Sequence, residues 1–148
     1  MHDQLVASDP VALANRLRPA LLRLNRELRR ETASLGVTGG QAALLYLISR
    51  SPGVGVRSLA AIEGISAAGM SGHVDRLEAA GLVRRVPSTD DRRRVGLELT
   101  EAGVRMLRAV RRRRTAWLAQ RLGRLDPEEL DALERAVEPL ARLLEVDA

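Results

Sequence analysis

Residues 56–100 constrain this chain more than any other stretch. They read VRSLAAIEGISAAGMSGHVDRLEAAGLVRRVPSTDDRRRVGLELT. The opening eight residues form a short apolar helix, and Gly64 then permits the left-handed backbone that ends one. Ser66 supplies an oxygen to cap a second helix, expected over residues 67–80. Met70, Val74 and Leu77 form its inward stripe, and Ala67, Ala68, Ser71, Gly72, Asp75 and Arg76 face outward. Gly81 ends it. Residues 82–86 and 95–99 alternate Arg with Val and Leu with Glu, the pattern of two strands around an Asp/Arg-rich tip at 87–94. Helix, tight turn, helix and β-hairpin in this order form a device for gripping duplex DNA.

The flanks are helical. Ser8-Asp9-Pro10 marks a helix start, with Asp9 as cap and Pro10 in the first turn. Leu13, Leu17, Leu21, Leu24 and Leu28 recur at helical spacing, so an amphipathic helix is expected to about Ala33, kinked or broken at Pro19. Thr38 and Gln41 make a capping box before a buried helix at 42–48, closed by the Ser51-Pro52-Gly53 turn. Thr100 caps a long helix from Glu101 to about Leu122. Asp126, Pro127 and Glu129 open a last helix carrying Leu130, Leu133, Val137, Leu140 and Leu144, with a bend expected at Pro139.

Composition narrows the function. The 148 residues suit one domain, and the net charge is +5 with all 24 basic residues arginine. GC-rich coding also favours Arg over Lys, but the charge itself points to a polyanionic partner. With one Trp, one Tyr and no Phe, single-strand binding by base stacking is disfavoured. The absence of cysteine excludes disulfides, thiolate metal sites and thiol redox switching. His2 and His73 are too far apart in sequence to suggest a metal or a His-based catalytic centre. Ser71 and His73 diverge around one helix axis, which disfavours a nucleophile–base pair, and no phosphate loop or paired carboxylates stand out. No enzyme activity, metal or cofactor is expected. No long apolar run or signal-peptide pattern occurs, so the expectation is a cytoplasmic protein without a membrane anchor.

Three segments carry a family resemblance. Asp91-Arg92-Arg93, then residues 94–98, then Leu99-Thr100 fit an Asp-x-Arg, five residues, Leu-Thr pattern. Asp75-Arg76-Leu77-Glu78 leading to Gly81-Leu82-Val83 is the second segment, and residues 38–45 are the third. In this order they resemble the MarR family of bacterial winged helix-turn-helix regulators, over nearly the whole chain. The resemblance implies a mainly α subunit of six helices with a small β-hairpin wing. Residues 1–36 and 101–148 would form a helical dimerisation region, and 37–100 the DNA-binding lobe. The leucine stripes of the outer helices agree, because exposed stripes of that length invite aggregation unless paired. A homodimer whose lobes enter successive major grooves implies a pseudo-palindromic operator.

Within that frame, Ser66, Ala67, Ala68, Ser71, Gly72 and Arg76 would meet the major groove or its phosphates. Arg92, Arg93 and Arg94 would reach the minor groove from the wing, with Asp91 positioning an arginine by an ion pair. The outward helix face is poorer in donors than the family's usual Arg and Ser/Thr set. Direct readout is therefore expected to be weak and the wing arginines to matter more. His73 replaces a usual apolar residue, as a boundary histidine with its ring hydrogen-bonded or as a DNA or effector contact. Arg111 to Arg114 spread around their helix, solvated or paired. The resemblance further implies a repressor, associated with the nucleoid when bound, and released by a small, often aromatic acid. Arg16, Arg18, Arg23 and Tyr46 are candidates to line its pocket. The competing reading is a winged-helix protein-interaction module without specific DNA readout.

Overall fold

A computed structural model describes residues 9–89 and 91–145. His2, Ser8 and Asp90, and the terminal parts of the expected dimerisation region, lie outside the described residues. Those described form six α-helices, one 3-10 turn and a small antiparallel sheet. The helices are α1 (Pro10–Glu31), α2 (Gly39–Arg50), α3 (Val56–Glu63), α4 (Ala67–Ala79), α5 (Glu101–Leu122) and α6 (Pro127–Arg142). The strands are β1 (Val54–Gly55), β2 (Val83–Pro87) and β3 (Val95–Leu99), in spatial order β1-β3-β2.

The expected caps are in place. The Val11 amide donates to Asp9 Oδ1 at 3.2 Å, and both capping boxes close, Thr38 with Gln41 and Asp126 with Glu129. Ser66 Oγ accepts from the Gly69 amide at 3.0 Å. Gly64 takes φ +68°, so the chain turns from α3 into α4 without the steric cost another residue would meet.

Several boundaries differ from the sequence reading. The first helix ends at Glu31, and a 3-10 turn (Ala33–Leu35) follows, because the buried Thr32 donates its hydroxyl to the Arg29 carbonyl and tightens the exit. Pro19 does not break α1, and Pro139 lies inside an unbroken α6. Pro19 removes the bond to the Asn15 carbonyl, but both residues lie on the exposed side, where solvent reaches that carbonyl. The fourth helix stops at Ala79, with Ala80 as its C-cap. The first wing strand is one residue later than expected, and the hairpin is joined by the unforeseen β1. Gly53, at φ +84°, donates its amide to the Leu97 carbonyl at 2.7 Å and starts that pairing.

The core lies in the lobe. Leu45 and Ile48 of α2, Leu59 of α3, Met70, Val74 and Leu77 of α4 and Leu97 of β3 are all fully enclosed. Met106, Leu107 and Val110 of α5 close over this cluster, tying the long helix to the lobe. Thr100 makes the joint: its hydroxyl donates to the Gly81 carbonyl at 2.6 Å and accepts from the Gly103 amide at 3.0 Å. By contrast, α1 and α6 contain no buried residue, although α1 packs along α5.

Candidate nucleic-acid interface

Two exposed elements project from the lobe. One is the amino-terminal half of α4, where Ser66, Ala67 and Ala68 are exposed and Ser71 and Gly72 half-buried. Its first turn holds no acidic residue, so its amides and helix dipole present positive potential. The inward stripe of Met70, Val74 and Leu77 sets which face points out. Arg76 is exposed, and its Nη2 lies 2.8 Å from Nδ1 of His73, which is likewise exposed.

The second element is the wing tip. Asp91 builds it: Oδ1 accepts from the Arg93 amide at 3.0 Å, and the Asp91 carbonyl accepts from the Arg94 amide at 2.9 Å. The Asp91 carboxylate also pairs with Arg94 Nε at 3.7 Å. The side chains of Arg92 and Arg93 are exposed and have no carboxylate partner among the described residues. The tip's root is pinned by the Thr89 amide donating to the Gly53 carbonyl at 3.0 Å and the Ser88 amide to the Arg94 carbonyl at 2.9 Å.

A clamp joins the two elements. Arg85 of β2 reaches back to α4, with Nη2 at 2.6 Å from Asp75 and Nε at 3.2 Å from Glu78. Asp75, read from sequence as an outward residue, is thus tied to the wing. Arg84 pairs across the hairpin with Glu98, its register partner. Sequence reasoning also passed over Arg57. It lines a cleft of about 520 Å³ between the start of α3 and the wing, together with Asp91, Arg93 and Arg94. Its place in the first turn of the leading helix of the motif is the one signal that could have found it.

The four candidate effector residues are not brought together within the chain. Arg16 and Arg18 are exposed on α1, Arg18 beside Asn15 at 3.5 Å. Arg23 borders a recess between α1 and α5 with Trp117 and Arg121, whose guanidinium lies 5.0 Å from the indole centroid. Tyr46 lines a different cavity, of about 400 Å³, between α2 and α5, with Leu107, Val110, Arg111, Arg114 and Thr115. Arg114 is half-buried, and its Nε has no hydrogen-bond partner among the described residues. Burial and, secondarily, the Arg29 charge push the Arg114 guanidinium below its ordinary pKa. Arg113 donates to Ser34 Oγ at 3.1 Å. The arginine run is therefore divided between a tie from Arg113 to Ser34, a half-buried Arg114, and the exposed Arg111 and Arg112. No helix among the described residues is long and apolar enough to cross a membrane.

A capped helix-turn-helix buttressed by a sheet with an arginine-tipped hairpin defines a winged helix-turn-helix protein of the transcription-regulator class. Residues 35–94 match the sequence model of the MarR family. An HTH-type transcriptional regulator of Mycobacterium tuberculosis is 32% identical over 133 residues, 90% of this chain and 93% of that protein. A MarR family protein from Bacillus stearothermophilus superposes with a TM-score of 0.76 at 25% identity, over 90% of this chain and 94% of that one. Rv2887, a MarR family protein of Mycobacterium tuberculosis solved with p-aminosalicylic acid, superposes with a TM-score of 0.64 at 25% identity, over 90% and 99%. The chain belongs to the MarR family of DNA-binding transcriptional regulators.

Proposed function

We propose that the protein is a dimeric repressor that reads a pseudo-palindromic operator and leaves it when a small aromatic acid binds. The observation that carries the DNA reading is the pairing, on one rigid lobe, of an exposed α4 amino terminus with an arginine-tipped wing. Ser66, Ala67, Ala68, Ser71, Gly72 and Arg76 meet the major groove. The small residues allow close approach and contact with thymine methyls, and Ser71 and Arg76 supply donors. Arg92 and Arg93 enter the flanking minor groove, and Asp91 holds the tip's shape and steadies Arg94. Arg57 adds a backbone phosphate contact beside the wing. The exposed leucines of α1 and α6 supply the dimer contact, as an isologous pair of faces.

The effector seat is the cavity between α2 and α5. It adjoins both the lobe, through α2, and the leucine-rich helices, through α5, so a ligand there sets the lobe's angle. Tyr46, Leu107 and Val110 suit an aromatic ring, and the partly desolvated Arg114, whose Nε has no partner among the described residues, suits a carboxylate. The p-aminosalicylic acid in the relative's structure supports this ligand class. Catalysis has no part in the reading: His73, two residues from Ser71, turns to Arg76. A cytoplasmic location follows from the role, since the operator is there.

The test is fluorescence anisotropy with the duplex upstream of the protein's own gene and a scrambled control of equal length, at two salt concentrations. The expected result is tight, salt-sensitive binding to the native duplex and weak binding to the control, reversed by aromatic acids in the wild type but not in Arg114→Ala. Equal weak binding to both duplexes overturns the specific-reader proposal. No binding even at low salt favours the protein-interaction module.

A further inference from the structure

The outward face of α4 carries one long cationic side chain, Arg76, and the structure shows what holds it. Its Nη2 contacts Nδ1 of His73 at 2.8 Å. A guanidinium has donors only, so Nδ1 must accept. That requires a neutral imidazole with its proton on Nε2. The nearby carboxylates face another arginine. Asp75 and Glu78 are both occupied by Arg85, at 2.6 and 3.2 Å, and Arg76 has no carboxylate partner among the described residues. One turn before Arg76 stands Gly72, where an added Cβ would meet nothing within 4 Å. Long side chains on a helix lean toward its amino terminus. Arg76 therefore leans toward bare surface, with the His73 ring as its stop.

We propose that His73 is a positioning residue for DNA readout, its neutral ring fixing the direction in which Arg76 meets the groove. The inference rests on α4 being the helix that reads DNA. An arginine already held in one direction loses less side-chain freedom on binding than a free one. The ring's Nε2–H stands beside it as a second donor. This arrangement compensates for a face otherwise made of Ala67, Ala68, Ser71 and Gly72.

The same geometry gives a pH signature. Protonating the ring puts a hydrogen on Nδ1 and turns the contact into a like-charge repulsion. Specific affinity then falls once acid protonates the ring. Non-specific affinity, which follows total positive charge, does not. The charged groups on α4 and on the elements packed against it are Asp75, Arg76 and Glu78 on α4, Arg57 and Glu63 on α3, and Arg84 and Arg85 on β2. Among these, Arg76 is the ring's hydrogen-bond partner.

The experiment uses the full-length protein and a duplex enriched by the wild type from a random pool. Anisotropy is read on that duplex and on an unselected one, from about pH 5.5 to 8. The proteins are wild type, His73→Ala, His73→Asn, Arg76→Ala and the His73→Ala/Arg76→Ala double variant. All the sites are exposed, and thermal melts confirm folding. Near pH 7.5, His73→Ala and Arg76→Ala each lower the selected-over-unselected ratio by roughly three- to ten-fold, and the double variant is no worse than either. Asn offers an acceptor oxygen near the Nδ1 position without titrating. It keeps the ratio and stays flat toward acid, where the wild type falls. Additive losses, a silent His73→Ala or an Asn variant that follows the wild-type pH profile overturns the role of His73. If the pool yields no enriched sequence, the proposed DNA reading itself fails and this inference with it.

Discussion

Leucine does two different jobs in the two halves of this molecule. In the lobe, Leu45, Leu59, Leu77 and Leu97 are fully enclosed by the chain's own helices and sheet. On α1 and α6, Leu13, Leu21, Leu24, Leu130 and Leu133 stay exposed, and neither helix buries a single residue. Helical periodicity looks the same in both places, because spacing reports which face is apolar and not what covers it. The lobe completes its core alone. We propose that the outer helices are a half-interface, with a second copy as the other half.

The largest expected effect tests that contrast. Leu133→Asp places a charge in the proposed contact, and twofold symmetry repeats it in the partner. Each leucine buried there contributes about 1.5–3 kcal/mol, so the dimer loses on the order of 3–6 kcal/mol. Sedimentation velocity reads this as a monomer at concentrations where the wild type is dimeric. An unchanged dimer would place the interface elsewhere.

Leu77→Ala is the matching lesion in the lobe. It opens a cavity in a closed core and costs about 2–5 kcal/mol. Hydrogen exchange should show loss of protection in α3, α4 and the sheet, while α1 and α6 keep theirs in the dimer. Equal loss throughout would mean that the two halves unfold as one unit and that the contrast has no energetic counterpart.

What was legible in advance follows physical range. The caps at Asp9, Thr38, Ser66, Thr100 and Asp126 involve residues two or three apart, and the Gly64 turn is a property of one residue, so the sequence displays them directly. The Met70, Val74 and Leu77 stripe is equally local. Strand β1 was not legible: a two-residue strand has no room for alternation, and its pairing with β3 joins residues about forty positions apart. The Arg85 clamp and the approach of Arg29 to Arg114 are likewise tertiary facts. For the effector seat, side-chain chemistry pointed to Arg16, Arg18, Arg23 and Tyr46. Only the packing of α2 on α5 places Tyr46 beside Arg111 and Arg114 and leaves Arg23 in another recess.

The Arg85 clamp sharpens the comparison within the lobe. Arg85, Asp75 and Glu78 are each more than a third exposed, so solvent screens the bridge. Arg85→Ala is expected to cost no more than about 1 kcal/mol of stability. Its effect on DNA binding should be larger than that, because helix and wing must reach neighbouring grooves together. Anisotropy on the operator beside a denaturant melt separates the two. Parallel small losses would show that the sheet alone sets the angle.

Gly72→Ala carries the smallest energy and asks the sharpest question. The helix pays conformational entropy for a glycine at this position, yet no neighbour lies within 4 Å of where a Cβ would stand. Packing therefore gives no reason for glycine here. By contrast, a Cβ at Gly96 would run into the backbone of Gly53 and Ser88. Alanine at 72 should raise stability by about 0.5–1 kcal/mol, read as a higher denaturation midpoint. If α4 approaches DNA as closely as proposed, the same methyl intrudes on the bases and lowers operator affinity. A variant that is more stable and binds DNA as before would show that the bare face of α4 does not touch the groove at that point, leaving readout to Arg76, Ser71 and the wing.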